Sequence, residues 1–333
     1  MSILITGGTG WVGTGLAHRL VERGEDVILF DIAPQIERVA DIKNNVKVVQ
    51  GDQKVWPEVL NVVKENNVEG VFHLGNIPSS KNYANPWAVY EGNVGGIMNV
   101  LEAARLFGVK RLVFTSSMGT YGLGIPTETI TDETLQRPIS EYGVTKLYGE
   151  LIGRFYRKKF DLDFRCMRYP NIFDPSVRIS KKLQYIAWMI QSAALGRPAE
   201  CPVSEDTKLP VLYYEDAMRA TQMLYDAPKE QIKTVCYNVV GVFPSLTAKE
   251  VELVIKKFIP EAKFTFKPDP WVMDYYRSIN NIDDSRAREE WGWEPLYGDF
   301  EKIVADFIKE VRTKPEYYSL AFTDAEGEKT PEG

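Results

Sequence analysis

The first half of the chain alternates two hydrophobic patterns. Compact apolar runs at Ser2–Thr6, Asp26–Phe30, Val46–Gln50, Gly70–Leu74, Arg111–Thr115 and Phe164–Arg168 have the length and β-branched content of buried strands. Between them, apolar residues recur at helical spacing in Thr14–Glu22, Trp56–Asn66, Tyr90–Phe107 (ended by Gly108) and Ser140–Phe160. Such alternation predicts an α/β fold whose parallel sheet is covered on both faces. From about Asn171 the pattern becomes irregular. Helices are expected over Ile186–Leu195, Glu215–Tyr225, Thr247–Phe258 and Phe300–Arg312, with a strand at Leu209–Tyr214 and a charged, disordered tail after Tyr318.

The junction of the first strand and first helix is glycine-rich: Gly7-Gly8-Thr9-Gly10-Trp11-Val12-Gly13. The next strand ends in an acid, Asp31. Strand, glycine loop, helix, strand and acid, in that order, make a dinucleotide-binding unit. Gly7 permits the tight turn, Gly10 lets backbone N–H groups reach a pyrophosphate, and Gly13 brings the helix close to the sheet. The helix N-terminus adds partial positive charge. Asp31 is placed to accept from an adenosine ribose and would repel a 2′-phosphate, which favours NAD over NADP. The expected architecture is a doubly wound parallel sheet of the Rossmann type over residues 1–170. A smaller substrate lobe over 171–318 carries some segments that cross back.

Composition narrows the field. The 333 residues are 44% hydrophobic and 26% charged with a net charge of −6, which argues against nucleic-acid or anionic-membrane partners. No apolar run approaches the length of a membrane helix, and Met1 stands directly before the first strand, so a cytoplasmic location is expected. Cys166, Cys201 and Cys236 are widely spaced and read as reduced, buried thiols. His18 and His73 are the only histidines, neither with a partner at metal-ligand spacing, so no metal site is expected.

A second motif carries chemistry. In Tyr142-Gly143-Val144-Thr145-Lys146, tyrosine and lysine are four residues apart and share one helix face. A free tyrosine titrates near about 10 and is a poor base at neutral pH, but a nearby cation stabilises the phenolate. Ser116 and Ser117 end a buried strand, where open parallel sheets place their ligands.

The glycine loop, the Ser116–Gly122 run, the Tyr-x-x-x-Lys pair and Arg168-Tyr169-Pro170 together resemble the extended short-chain dehydrogenases/reductases, over about residues 2–312. The resemblance implies that Ser117, Tyr142 and Lys146 are catalytic. It also implies that Gly7, Gly10, Trp11, Val12, Gly13 and Asp31 bind the cofactor, that Asp52 and Gln53 face the adenine, and that Leu74 and Gly75 lie along it. Asn93 would support the active-site helix, Lys146 and Tyr142 would address the nicotinamide ribose, and Tyr169 and Pro170 would flank the nicotinamide. Family members pair through the helices carrying Asn93 and Tyr142, so a homodimer is implied, with Leu147, Leu151 and Phe155 as an apolar stripe.

Within the family, Leu209–Ala217, Tyr237-Asn238-Val239 and Asp283–Trp293 resemble the short-chain type of L-threonine 3-dehydrogenase, which oxidises a β-hydroxyl with NAD. The chain departs from that group at Asn171–Arg178 and near Arg277-Ser278. The rival reading is a sugar or sugar-nucleotide epimerase, from the Arg168-Tyr169-Pro170-Asn171 and Gly196-Arg197-Pro198 turns. A uronate-type dehydrogenase is a third, from His73-Leu74-Gly75 and Gly108–Arg111. A dinucleotide sensor without catalysis is the non-enzymatic alternative. Candidate contacts to a small-molecule substrate are Ser79, Ser80, Asn171, Arg178 and Arg277.

Overall fold

A computed structural model of the protein describes residues 1–78, 85–125, 128–176, 183–276 and 279–318. The chain runs β1 (Ser2–Thr6), α1 (Trp11–Glu22), β2 (Asp26–Asp31), β3 (Val46–Gln50), α2 (Trp56–Glu65) and β4 (Gly70–His73). It continues through α3 (Pro86–Val89), a π-helical segment (Tyr90–Gly95), α4 (Gly96–Leu106) and β5 (Arg111–Ser117). Next come β6 (Thr129–Ile130), α5 (Glu141–Phe160), β7 (Phe164–Tyr169) and β8 (Asn171–Phe173). The C-terminal part adds α6 (Tyr185–Ala194), β9 (Ala199–Cys201), β10 (Val211–Tyr213), α7 (Tyr214–Asp226) and β11 (Cys236–Asn238). It ends with α8 (Ala248–Phe258), β12 (Phe264–Phe266), α9 (Pro270–Tyr276), β13 (Asn281–Ile282), α10 (Ser285–Trp291) and α11 (Phe300–Thr313).

The central sheet has seven strands in the order β11-β7-β5-β4-β1-β2-β3, all parallel. Its order reverses between β1 and β4, the crevice where such sheets bind ligands. The middles of strands β1, β4 and β5 are apolar on both faces because helices cover both, so Ile3, Leu4, Ile5, Val71, Phe72, Leu112 and Val113 are all buried. Their burial is the main stabilising term, worth about 1.5–3 kcal/mol for each large side chain.

The predicted helix over Tyr90–Phe107 starts earlier, at Pro86, and is π-helical over Tyr90–Gly95, between α3 and α4. Asn85 accepts from the Ala88 N–H and so fixes its start. Ser140 caps α5 through the Gly143 N–H at 3.1 Å, and Thr247 with Glu250 forms a capping box on α8. Helices α9 and α10 and strand β11, none of them in the sequence reading, are short. β11 adds to the sheet edge in register with β7, pairing Cys236 with Cys166. The three cysteines are free and buried. A separate apolar cluster built on α6, α8 and α11 forms the core of the C-terminal part. Among the described residues, no helix is long and apolar enough to cross a membrane.

Candidate active site

The candidate cofactor crevice opens where β1 and β4 end. Gly7 has φ +65°, and a Cβ there would stand 2.9 Å from Gly75 Cα, so the β1 and β4 loops touch backbone to backbone. A Cβ on Gly13 would come within 2.4 Å of the Gly7 carbonyl oxygen, so glycine alone lets α1 seat on the loop. Gly10 caps α1 without a side chain and the first turn carries no acid, which leaves its N–H groups for an anion.

Asp31 anchors the far side of this loop. Its Oδ2 accepts from the Thr9 N–H at 3.1 Å and the Thr9 hydroxyl at 2.8 Å, and its Oδ1 from the Ala33 N–H at 3.2 Å. Gln53 donates to the carbonyls of Gly92 at 2.7 Å and Gly75 at 3.2 Å, bracing the loops after β3 and β4 against the π-helical segment. Asp52 holds the Lys54 N–H at 3.0 Å. The Thr6 hydroxyl accepts from the Gly75 N–H at 3.1 Å and shares a 2.7 Å hydrogen bond with His73 Nδ1. Trp11 stacks on Tyr214 with ring centroids 4.5 Å apart and donates to the Ser176 hydroxyl at 3.1 Å, while Val12 and Leu74 pack against the sheet. A glycine cradle with open N–H donors and a fixed acid fits a dinucleotide.

The three candidate catalytic side chains stand beside this crevice. Ser117 ends β5 and its hydroxyl accepts from the Gly119 N–H at 3.0 Å. Tyr142 and Lys146 lie one turn apart on α5, which packs on β5. Lys146 is buried, donates to the Thr115 carbonyl oxygen at 2.7 Å and lies 5.6 Å from the centre of the Tyr142 ring. Burial lowers its pKa to about 8, against a weaker pull upward from Glu150. Burial also raises the Tyr142 pKa, and hydrogen bonding to Ser117 pulls it back.

Behind them lies a buried polar layer. Arg168 donates to both carboxylate oxygens of Glu150, at 2.7 and 2.9 Å, and to the hydroxyl of Tyr121 at 2.9 Å. Ser116 donates to Glu150 Oε1 at 2.5 Å, so it faces this layer while its neighbour Ser117 faces the site. Asn93 joins the helix before α4 to α5 by donating to the Thr145 hydroxyl at 3.1 Å. Tyr169 turns its hydroxyl to Thr221, with Pro170 following, and Asn171 donates to the Leu183 carbonyl at 2.7 Å. Ser79, Ser80, Arg178 and Arg277 lie outside the described residues, as does the tail after Tyr318. Among the described residues, no group of three or more His, Cys, Asp or Glu side chains is placed to hold a metal.

Three participants were not singled out from sequence. Thr9 is the tie between the glycine loop and Asp31. Glu150, four residues beyond Lys146 on the same helix, had the spacing to be noticed. Tyr275, from α9, reaches the Ser117 hydroxyl side of the site and carried no sequence signal.

The chain is similar to several known proteins. The family described as NAD dependent epimerase/dehydratase matches residues 3–239. The mitochondrial L-threonine 3-dehydrogenase of Bos taurus is 33% identical over 302 residues, covering 87% of this chain and 78% of that protein. An L-threonine dehydrogenase from Cupriavidus necator, solved in its holo form, superposes with a TM-score of 0.85 at 29% identity, covering 93% of this chain and 100% of that one. A UDP-glucose 4-epimerase from Thermotoga maritima shares the fold, with a TM-score of 0.81 at 21% identity over 95% of this chain and 100% of that one.

Proposed function

This chain belongs to the NAD dependent epimerase/dehydratase family, and we propose that it is an NAD-dependent dehydrogenase of the L-threonine 3-dehydrogenase kind, oxidising the secondary alcohol of a small polar substrate. The observation that carries the reading is the meeting of Ser117, Tyr142 and Lys146 at the β5 end of the dinucleotide crevice. Bound NAD would supply the hydride acceptor. Tyr142 as phenolate takes the proton of the substrate hydroxyl, Ser117 holds the oxygen by hydrogen bonding, and the Lys146 ammonium stabilises the phenolate. Asp31, fixed by Thr9, selects NAD by receiving the adenosine ribose.

The residues up to 170 would serve the cofactor and 171–318 mainly the substrate, with β11 and α7 returning to the sheet. Leu151 and Phe155 stand 59% and 51% exposed on α5, which supports pairing of two chains through that helix. Sedimentation should find a dimer that Leu151→Glu splits; a monomeric wild type would remove this part.

The test is a panel of 3-hydroxy acids, amino alcohols, uronates and UDP-sugars with NAD. The reading expects steady NADH absorbance with a small alcohol, lost by orders of magnitude in Tyr142→Phe while NAD binding persists. Isomerised product without net NADH would instead establish an epimerase, and tight NAD binding without any turnover a sensor.

A further inference from the structure

Ser117, Tyr142 and Lys146 all come from the cofactor half of the chain. A further hydroxyl arrives from the other half. Helix α9 is fixed at its start by Asp269, whose Oδ1 accepts from the Trp271 N–H at 3.0 Å and the Val272 N–H at 3.2 Å. Val272 and Tyr276 are buried in the C-terminal core, and the Tyr276 hydroxyl donates to the Leu183 carbonyl at 2.6 Å. Those anchors leave Tyr275 one direction. Its ring stacks on Trp271, with centroids 6.0 Å apart and planes at 24°, and meets Tyr276 edge-on at 5.2 Å. Its hydroxyl then stands over Gly119. A methyl group built on Gly119 would lie 3.4 Å from Ser117 Oγ, 3.5 Å from Tyr275 Oη and 3.7 Å from Tyr142 Cδ1.

The three groups therefore converge on one small space. A small alcohol bound by its hydroxyl between Ser117 and Tyr142 has its neighbouring carbon within reach of Tyr275. Burial raises the Tyr275 pKa, so the group is a neutral phenol that can donate or accept. Among the described residues, none forms a hydrogen bond with that hydroxyl.

We propose that Tyr275 is a specificity-determining residue, recognising by hydrogen bonding a polar group on the carbon next to the alcohol carbon. The substrate class is then a short acyclic alcohol with a vicinal amine or hydroxyl. A nucleotide-linked sugar would compete with the Tyr275 and Trp271 rings for the same space. The inference rests on the alcohol-oxidising reading above and narrows it.

The test compares wild type, Tyr275→Phe and Tyr275→Ala at saturating NAD with L-threonine, butane-2,3-diol and butan-2-ol, the last having no vicinal polar group. Wild type should use at least one of the first two with a kcat/KM at least tenfold above that for butan-2-ol. Tyr275→Phe keeps the ring and its packing, so NAD affinity should be unchanged while KM for that substrate rises about tenfold, the loss of one hydrogen bond. The loss should be at least five times larger than for butan-2-ol. Tyr275→Ala should show the same discrimination loss and is the second arm should the phenylalanine variant refill the space. Equal effects on all three alcohols, or none, with NAD affinity intact would overturn the assignment and leave the dehydrogenase reading standing. A wild type that binds NAD and oxidises no alcohol would remove that reading and this inference with it.

Discussion

The Lys146 ammonium donates to the carbonyl oxygen of Thr115 at 2.7 Å, two residues before Ser117. A helix residue is thereby tied to the strand that carries the serine, so the lysine holds Ser117 and Tyr142 in register. The arrangement has a cost, because the charge is buried. With its pKa near 8 in the fold and about 10.5 in the unfolded chain, Lys146 carries its proton in both states below pH 8. Between pH 8 and 10.5 the unfolded chain binds the extra proton, so stability rises with pH across that window. Lys146→Met removes this contribution. The urea-unfolding free energy of wild type minus variant should increase by up to about 3 kcal/mol from pH 8 to pH 10.5; a flat difference would contradict the buried charge.

Asp31 spends one oxygen on Thr9 and the other on Ala33. Arg38 reaches the same corner, with its guanidinium 3.4 Å from the Thr9 carbonyl oxygen. Replacing the acid therefore uncovers a cation beside the proposed ribose position. Asp31→Ser should weaken NAD at least tenfold and move the NADP-to-NAD ratio of kcat/KM upward by ten or more. Steady-state kinetics with both cofactors checks it, and an unchanged ratio would mean that the acid does not choose between them.

The Glu150–Arg168 pair is 2% exposed on each side and joins α5 to β7. Nearby Glu150 holds the Arg168 pKa up, against the effect of burial. Glu150→Leu would leave the buried guanidinium with only the more distant Asp132 carboxylate, at 3.9 Å, a loss of about 3–5 kcal/mol. Arg168→Met in the same protein removes the under-compensated charge. The double variant should recover most of the lost stability in denaturant melts; additive losses would show that the pair's geometry, rather than the unpaired charge, sets the effect.

Much of the fold was readable because local signals agreed with one another. Strand, glycine loop and Asp31 are contiguous, and Tyr142 and Lys146 share one helix, so periodicity and spacing suffice to place them. What escaped the sequence was non-local. Thr9 reaches Asp31 only because β1 and β2 pair in register, which puts the glycine loop beside the end of β2. β11 is three residues long, too short for a periodic signal, and is a strand because β7 offers it an edge. Tyr275 sits in a seven-residue helix whose aromatic spacing also suits plain core packing. Only the docking of α9 on the C-terminal core brings its hydroxyl to Gly119.

His73 gives the fold a dependence on acid. It ends β4 fully buried, between the Thr6 hydroxyl and the Phe114 ring, whose centroid is 5.8 Å away. Burial, with a smaller contribution from the Lys146 charge, lowers its pKa from 6.5 to about 3. The folded protein thus refuses a proton that the unfolded chain accepts as pH falls below 6.5, and stability drops through the window from 6.5 to 3. Each pH unit in that range costs about 1.4 kcal/mol, so the step from pH 7 to pH 5 should remove about 2 kcal/mol. His73→Gln keeps a polar partner for Thr6 and has no proton to gain. The variant loses some packing at pH 7, yet its deficit relative to wild type should shrink by about 2 kcal/mol at pH 5. Parallel curves for the two proteins between pH 7 and pH 5 would show that His73 takes up its proton in the folded state, and the neutral imidazole would then be abandoned as the brace of the β1 and β4 loops.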